Sequence, residues 1–186
     1  SNINLPYNSN GDKFQLPSIT ISAWVKPSAI ESLATSGSNI QVITSKRENS
    51  GWGNNFSFVL YSTNTGQPEE HLVFQPSWTT PQAGNGWQSS GDVGIEIDSW
   101  SHVVYTHDQN FVKLYFNGEQ VVSVPSPGLL PTGSTLDTSI GTRPGGRHPF
   151  YGDIDDVGYW NRALSQSEVA QLYHGVVDTV SPTVTL

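Results

Sequence analysis

The chain has 186 residues, of which 35% are hydrophobic and 11% aromatic, and this length suits one domain with a well-packed core. It contains no cysteine, which excludes disulfide bonds and thiolate metal sites. Sixteen acidic residues outnumber eight lysines and arginines, giving a net charge of −8, so nucleic acid is not expected as a partner. No apolar run approaches the ~20 residues of a membrane span, so membrane insertion is not expected either.

Short alternating segments, separated by clusters of Gly, Pro, Asn and Ser, predict an all-β fold. In the first segment, SITISAWVKP, every second residue from Ile19 to Val25 is apolar. That spacing predicts a strand with one face toward a core. The segments FSFVLYS (Phe56–Ser62) and HLVFQ (His71–Gln75) predict the next two strands.

A hairpin is predicted in the middle of the chain. Asn117-Gly118 lies between two alternating apolar runs, and both residue types tolerate the positive φ of a type I′ turn. The turn predicts that Lys113–Phe116 pairs with Glu119–Val122.

One segment near the end, ALSQSEVAQLYHG, has the pattern of a helix. Ser165 and Glu168 have the spacing of a capping box, and Leu164 and Val169 have that of a hydrophobic staple. Gly175 is placed to end the helix.

The domain is predicted to span residues 1–176. Residues 177–186 are polar and β-branched, and they are predicted to form a linker or the start of a following domain. Neighbouring domains of the same chain are therefore expected as partners.

Four segments together resemble a known family: ITISAWVKP, WSHVVYTHD, KLYFNGEQV and FYGDIDDVGYWNRALSQSEVAQLYHG. They are similar to the laminin-G-like jelly-roll domains of the concanavalin-A-like lectin/glucanase superfamily. The match runs from about Ile19 to Gly175 and is weakest from Arg47 to Gly94. The resemblance implies a two-sheet antiparallel β-sandwich, or jelly roll, with one short C-terminal helix. It also implies an extracellular accessory module of an adhesin or a glycan-degrading enzyme.

Catalysis is not expected. The superfamily includes retaining glucanases with a Glu-x-Asp-x-Glu strand, and retaining chemistry needs two carboxyl groups ~5 Å apart. The segment GIEIDSW supplies Glu96 and Asp98, but Trp100 stands where the third carboxylate belongs. The resemblance makes this segment the approach to the following strand rather than a catalytic strand.

The resemblance also implies a structural calcium ion. Calcium binds six to eight oxygen atoms, and related glucanases supply one carboxylate from a late Val-Asp-x-Val strand. Asp155 matches that position, and Asp156 and Asp12 are further candidate ligands. Alternatively, Asp155 and Asp156 cap backbone groups at a strand bend or pair with Arg162.

The six tryptophans fall into two groups. Three lie in segments that match the family and are predicted to be structural: Trp24, Trp100 and Trp160. Three lie in stretches rich in Gly, Asn, Pro and Ser, which predict loops: Trp52, Trp78 and Trp87.

An exposed apolar ring is costly unless it binds something, and aromatic rings stack on the C–H faces of sugars. The second group of tryptophans, with the neighbouring Asn54 and Asn55, therefore predicts a glycan site. The alternative is that these rings anchor long loops to the sandwich.

A second candidate site is the loop TRPGGRHPFY, which carries Arg143, Arg147 and His148. Arginine binds carboxylate or sulfate through two parallel hydrogen bonds, so this loop suits an anionic polysaccharide. Alternatively, these residues balance the nearby aspartates.

These observations predict a non-catalytic, lectin-like module that binds a polysaccharide or other glycan. An extracellular or cell-surface bacterial protein is expected, because absence of cysteine and net negative charge are common in that class. The alternative is a structural or protein-binding spacer of a large bacterial surface adhesin, without a sugar site.

Overall fold

The computed structural model describes residues 3–5, 17–28, 40–47, 54–62, 72–80, 84–87, 93–126, 128–130, 136–143 and 146–175. Within these ranges, strands β1 to β6 are Ile3–Leu5, Ile19–Pro27, Ile40–Arg47, Asn54–Ser62, Leu72–Thr80 and Gly84–Trp87. Strands β7 to β11 are Ser101–His107, Phe111–Phe116, Glu119–Pro125, Thr138–Ile140 and Gly152–Trp160. Helix α1 is Gln166–His174.

The strands form two sheets. One has the order β1-β10-β3-β4-β5-β6 and the other the order β11-β2-β7-β8-β9. Neighbouring strands pair antiparallel throughout. The two-sheet antiparallel β-sandwich predicted from the sequence is therefore confirmed.

The apolar core lies between the sheets, and β2 and β7 supply its centre. The residues of β2 that alternate from Ile19 to Val25 are fully buried in it, as predicted. Phe58 and Phe74 of the opposite sheet pack edge to face, with ring centroids 6.2 Å apart. Aromatic rings bury large areas, so a chain with few hydrophobic residues can fill the space between the sheets.

The β8–β9 hairpin forms at the predicted turn, but a bulge between Leu114 and Tyr115 shifts the pairing, so that Lys113 pairs with Ser123 and not with Val122. Asn117 and Gly118 have φ values of 48° and 85°, and Phe116 pairs with Glu119 and Leu114 with Val122. The Asn117 side-chain oxygen accepts a hydrogen bond from the backbone N–H of His102 at 2.9 Å. This bond fixes the hairpin turn to the start of β7.

Helix α1 begins and ends where the sequence predicts. Ser165 and Glu168 form the capping box, and Gly175 ends the helix in the left-handed conformation. Leu164 and Val169 are buried in a second cluster, on the outer face of the five-stranded sheet, with Val104 and Tyr115. The helix therefore covers part of the face that points away from the main core.

The loops predicted around Trp52, Trp78 and Trp87 are wrong in part, because four residues assigned to them lie in strands: Asn54, Asn55, Trp78 and Trp87. Trp78 pairs with Gly86, and Trp87 pairs with Ser77. Strand β5 also continues through Pro76, although proline disfavours a central strand. Pairing with β4 on one side and β6 on the other overrides the local preference for turns.

Candidate functional site

An open pocket lies on the outer face of the five-stranded sheet. Among the described residues, four line its cavity of about 300 Å³: Trp24, Trp100, Asp155 and Asp156. This volume is at the lower end of the range of small-molecule sites, about 300–1,000 Å³. Two indole rings and two carboxylates therefore meet at one surface.

Of the two indole rings, that of Trp100 is the more exposed to solvent. This residue directly precedes β7 and is 44% exposed, one of the exposed large hydrophobic residues in the described part of the chain. Trp100 thus lies just outside the strand, and its structural role stays a prediction. Trp160, at the end of β11, does pack against the outer-face cluster beneath the helix, so its structural role is confirmed.

Trp24 is half-buried and held by aromatic neighbours. Tyr173 of α1 stacks on it with ring centroids 5.6 Å apart and an interplanar angle of 22°. His102 lies opposite Trp24 on the neighbouring strand β7, and the centroids of the two rings are 5.2 Å apart. Packing of this kind fixes the orientation of a ring before any ligand binds.

The two aspartates reach the pocket because β11 carries a bulge. Its pairing with β2 shifts register between Asp155 and Gly158, and Asp156 has a φ of 46°. The Asp155 carboxylate accepts a hydrogen bond from the backbone N–H of Asp156 at 2.9 Å. The alternative of backbone capping is confirmed for Asp155.

The predicted ion pair of Asp155 or Asp156 with Arg162 is wrong. The Arg162 guanidinium instead forms a two-pronged ion pair with Glu168 of α1. This contact and the bond from Ser165 lower the pKa of Glu168 from 4.5 to about 2. Both aspartates are exposed, so they remain accessible to a ligand.

His102 packs against Trp24 from the neighbouring strand β7. It is 1% exposed, and its Nε2 atom lies 2.7 Å from the Ser22 hydroxyl. Burial lowers the pKa of His102 to about 4, so the ring is neutral near pH 7. The pocket therefore gains no positive charge from this residue.

Glu96 and Asp98 do not form a catalytic pair on a strand. Both are exposed and lie in the turn before β7, and Asp98 has a φ of 59°. The Asp98 N–H donates to the Pro27 carbonyl at 2.7 Å, which ties this turn to the end of β2. The prediction that the segment leads into β7 is confirmed.

The glycan site predicted around the second tryptophan group stays a prediction. Trp52 lies outside the described residues, and only backbone placement is described for Trp78, Trp87, Asn54 and Asn55.

Backbone hydrogen bonds hold the described residues of the loop with Arg143, Arg147 and His148. The Arg143 N–H donates to the Arg147 carbonyl at 2.8 Å, and the Val42 N–H donates to the His148 carbonyl at 3.1 Å. Arg147 is exposed and His148 is half-buried. The loop backbone thus has a structural role, and anion binding there stays a prediction.

Calcium binding also stays a prediction. Among the residues that the structure describes, no group of three or more His, Cys, Asp or Glu side chains is placed to hold a metal ion, and Asp12 lies outside them. Asp155 and Asp156 alone supply too few of the six to eight oxygens that calcium needs. The described residues therefore do not fit a complete calcium centre.

The sequence around Trp100 contains one indication that its ring is exposed. Trp100 is followed by Ser101, the first residue of β7, and preceded by a turn containing Asp98 and Ser99. A large ring at a turn–strand boundary is free of the alternation that decides burial within a strand. The proximity of Trp100 to Asp155 depends on strand pairing, and no local sequence pattern predicts it.

In the described part of the chain, no helix combines the length and apolar character needed to cross a bilayer. Helix α1, at nine residues, is far shorter than the ~20 residues required.

Comparison with curated proteins finds similarity to adhesion G-protein coupled receptor V1 of Danio rerio. The two are 23% identical over 167 residues, which cover 86% of this chain. The chain spans 2% of that receptor's length, so the match concerns one small part of a very large protein.

Several solved structures have a similar fold. One is domain 4 of AbnA, an extracellular GH43 arabinanase from Geobacillus stearothermophilus, in complex with arabinotriose. Its TM-score is 0.60 and its identity 20%, and the match covers 92% of this chain and 72% of that one. The SAP-like pentraxin of Limulus polyphemus has a TM-score of 0.59 and 19% identity, with coverages of 92% and 81%. The botulinum neurotoxin serotype D ligand-binding domain, in complex with N-acetylneuraminic acid, has a TM-score of 0.62 and 16% identity, with coverages of 95% and 40%.

At these identities the structural matches show a shared jelly-roll fold. The family itself is shown by sequence, because a laminin-G family model of this fold matches residues 2–170. The chain therefore belongs to a laminin-G family of the concanavalin A-like lectin/glucanases superfamily.

Proposed function

We propose that the chain is a non-catalytic glycan-binding module of a secreted or surface-attached bacterial protein. The observation that carries this proposal is the outer-face pocket, where the exposed Trp100 ring lies beside Trp24, Asp155 and Asp156.

The pocket has the chemistry that sugar recognition needs. The Trp100 ring offers an apolar face for the C–H groups of a pyranose or furanose, and carboxylates accept strong hydrogen bonds from hydroxyl groups. Stacking of Tyr173 on Trp24 holds the pocket wall in place. A site that is rigid before binding loses less conformational entropy when the ligand arrives.

Placement of Glu96 and Asp98 supports the non-catalytic part of the proposal. Retaining hydrolysis uses carboxyl groups fixed ~5 Å apart across a glycosidic bond. Here both residues lie in a turn, and Asp98 has left-handed backbone geometry. A turn does not hold alternate side chains on one face as a strand does.

The similar proteins support the ligand class and the location. Two of the structures are complexes with arabinotriose and N-acetylneuraminic acid, and the arabinanase is described as extracellular. A bacterial source is supported by the absence of cysteine and the net charge of −8.

The first test is Trp100→Ala. We expect it to weaken glycan binding about 5- to 150-fold, which corresponds to the ~1–3 kcal/mol of a base stacked on an aromatic ring. Because Trp100 is 44% exposed, the melting temperature should change little. A glycan array identifies a bound polysaccharide, and affinity electrophoresis in that polysaccharide measures the loss.

Phe111→Ala is the matched control, since Phe111 is 46% exposed and lies on β8, away from the pocket. It should retain full binding. Full retention by Trp100→Ala would place the site elsewhere, with Trp52, Trp78 and Trp87 the next residues to substitute. Release of reducing sugar from a bound polysaccharide would contradict the non-catalytic assignment.

A second candidate function is a spacer or protein-binding domain of a large surface adhesin. The similarity to part of an adhesion receptor favours it, because the matched region is 2% of that protein. An array with no bound glycan, together with a wild-type fold, would support this candidate over a glycan-binding module.

A further inference from the structure

The charge around the outer-face pocket restricts which glycan fits it. Asp155 lies opposite Trp24 in the β2–β11 register, and Asp153 lies opposite Lys26. Lys26, the cation of β2, thus lies opposite Asp153, and no ion pair joins it to Asp155 or Asp156 in the described part of the structure. The pocket carboxylates are therefore not neutralised by their neighbouring strand.

Further acidic groups border the same end of the sheet. The Asp98 N–H is bonded to the Pro27 carbonyl, and Pro27 pairs with Gly152 at the start of β11. The turn that carries Glu96 and Asp98 therefore lies at the end of β2, next to Trp100. Both carboxylates are exposed, so they add to the negative potential over the pocket.

His102 adds no compensating charge. It contacts Trp24 from β7, but it is buried and its Nε2 atom is engaged with the Ser22 hydroxyl. The net charge of the whole molecule, −8, acts in the same direction at longer range. An anionic sugar would meet repulsion here, and a cationic one would be attracted.

Resting on the proposed glycan-binding function, we infer that the pocket formed by Trp24, Trp100, Asp155 and Asp156 selects a glycan that carries a protonated amino group. The sugar ring stacks on Trp100. Its ammonium group lies against the Asp155 and Asp156 carboxylates, where it forms charge-assisted hydrogen bonds. The indole faces add attraction between the cation and their π electrons.

A matched pair of ligands tests this selectivity. The glucosamine hexamer carries amines, and the N-acetylglucosamine hexamer has the same rings without the charge. Titration calorimetry in a chelator, at a pH that keeps the amines protonated, should give about 5- to 30-fold tighter binding of the amine ligand. Added salt should reduce this preference, because it screens exposed charges.

Variants measure the contributions of the Trp100 ring and of the two carboxylates to binding separately. The double variant Asp155→Asn with Asp156→Asn keeps the side-chain shape, and asparagine tolerates the positive φ of position 156. It should lose the preference for the amine, so that the two hexamers bind the variant with similar affinity. Trp100→Ala should weaken both ligands. Glu119→Gln removes an exposed carboxylate on β9, which β7 and β8 separate from β2, and should change neither.

The possible results distinguish this inference from the function on which it rests. Equal affinity for the two hexamers, or tight binding of a neutral glycan that Trp100→Ala abolishes, overturns the charge selectivity and keeps the glycan-binding function. Absence of binding to every glycan overturns both. A requirement for calcium would also overturn the inference, since a calcium ion at Asp155 would neutralise the charge that attracts the amine.

Discussion

At the scale of single residues, His102 links the pocket to the stability of the fold. Its ring lies between Ser22, Trp24 and Tyr173, and its Nδ1 atom is buried without a hydrogen-bond partner in the described part of the structure. A charged imidazolium at this position would lack the solvation it has in water. The neutral ring is therefore the form that the fold favours.

This burial predicts an acid-sensitive stability. The unfolded chain binds a proton at His102 near pH 6.5, whereas burial lowers the pKa in the folded state to about 4. The stabilisation is therefore fully present above pH 6.5 and is lost as the pH falls from 6.5 to about 4. We expect a loss of about 2–3 kcal/mol in the free energy of unfolding from this group, measured by urea denaturation across that range.

The variant His102→Gln should flatten part of this pH dependence, because it removes the titrating group and keeps a hydrogen-bonding side chain. His174→Gln is the control, since His174 is exposed at the end of α1 and its substitution leaves His102 intact. An unchanged pH profile in His102→Gln would show that other groups, such as the buried His107, account for the whole effect.

At the scale of elements, the start of β11 decides how closely that strand approaches β2. Gly152 has a φ of 137°, and a Cβ atom there would lie 2.1 Å from the Lys26 carbonyl oxygen and 2.8 Å from Pro27 Cα. Both contacts are with backbone, which cannot move aside without separating the strands. The bulge that presents Asp155 and Asp156 begins three residues later.

We therefore expect Gly152→Ala to cost about 3 kcal/mol or more of folding stability, because it combines backbone strain with a steric clash. Thermal or urea denaturation measures the loss. Gly146→Ala is the matched control: its φ is also positive, at 78°, but nothing lies within 4 Å of a Cβ atom there. The control should show only conformational strain, about 1–2 kcal/mol. Equal losses in the two variants would argue against the close approach at Gly152.

At the scale of the whole molecule, calcium would act through mass action on the folded state. A ligand that binds only the native protein adds about 2.7 kcal/mol of stability at 100 times its dissociation constant. The calcium prediction thus requires a higher melting temperature in excess calcium than in chelator. It also requires that Asp155→Ala remove the difference while Glu119→Gln keeps it. Identical melting temperatures in calcium and chelator would rule out a stabilising site and leave the carboxylates free for an organic ligand.

The sequence by itself determined the parts of this protein that depend on neighbours along the chain. Alternation in residues 19–27 predicted the central strand, because a strand's two faces repeat every second residue. Asn117-Gly118 predicted the hairpin, since only a few residue types accept positive φ. Ser165 and Glu168 predicted the helix start, because a capping box is closed by two residues three apart.

Tertiary structure decided the rest. Strands β5 and β6 form through residues that favour turns, because pairing of β5 with β4 and of β6 with β5 satisfies their backbone groups. Trp24, Trp100 and Asp155 meet only because β2 lies between β7 and β11 in the sheet. No local pattern encodes the order of strands, which follows from burying apolar faces across long sequence separations. The family was therefore readable from the chain, whereas the outer-face pocket emerged only from the packed sheet.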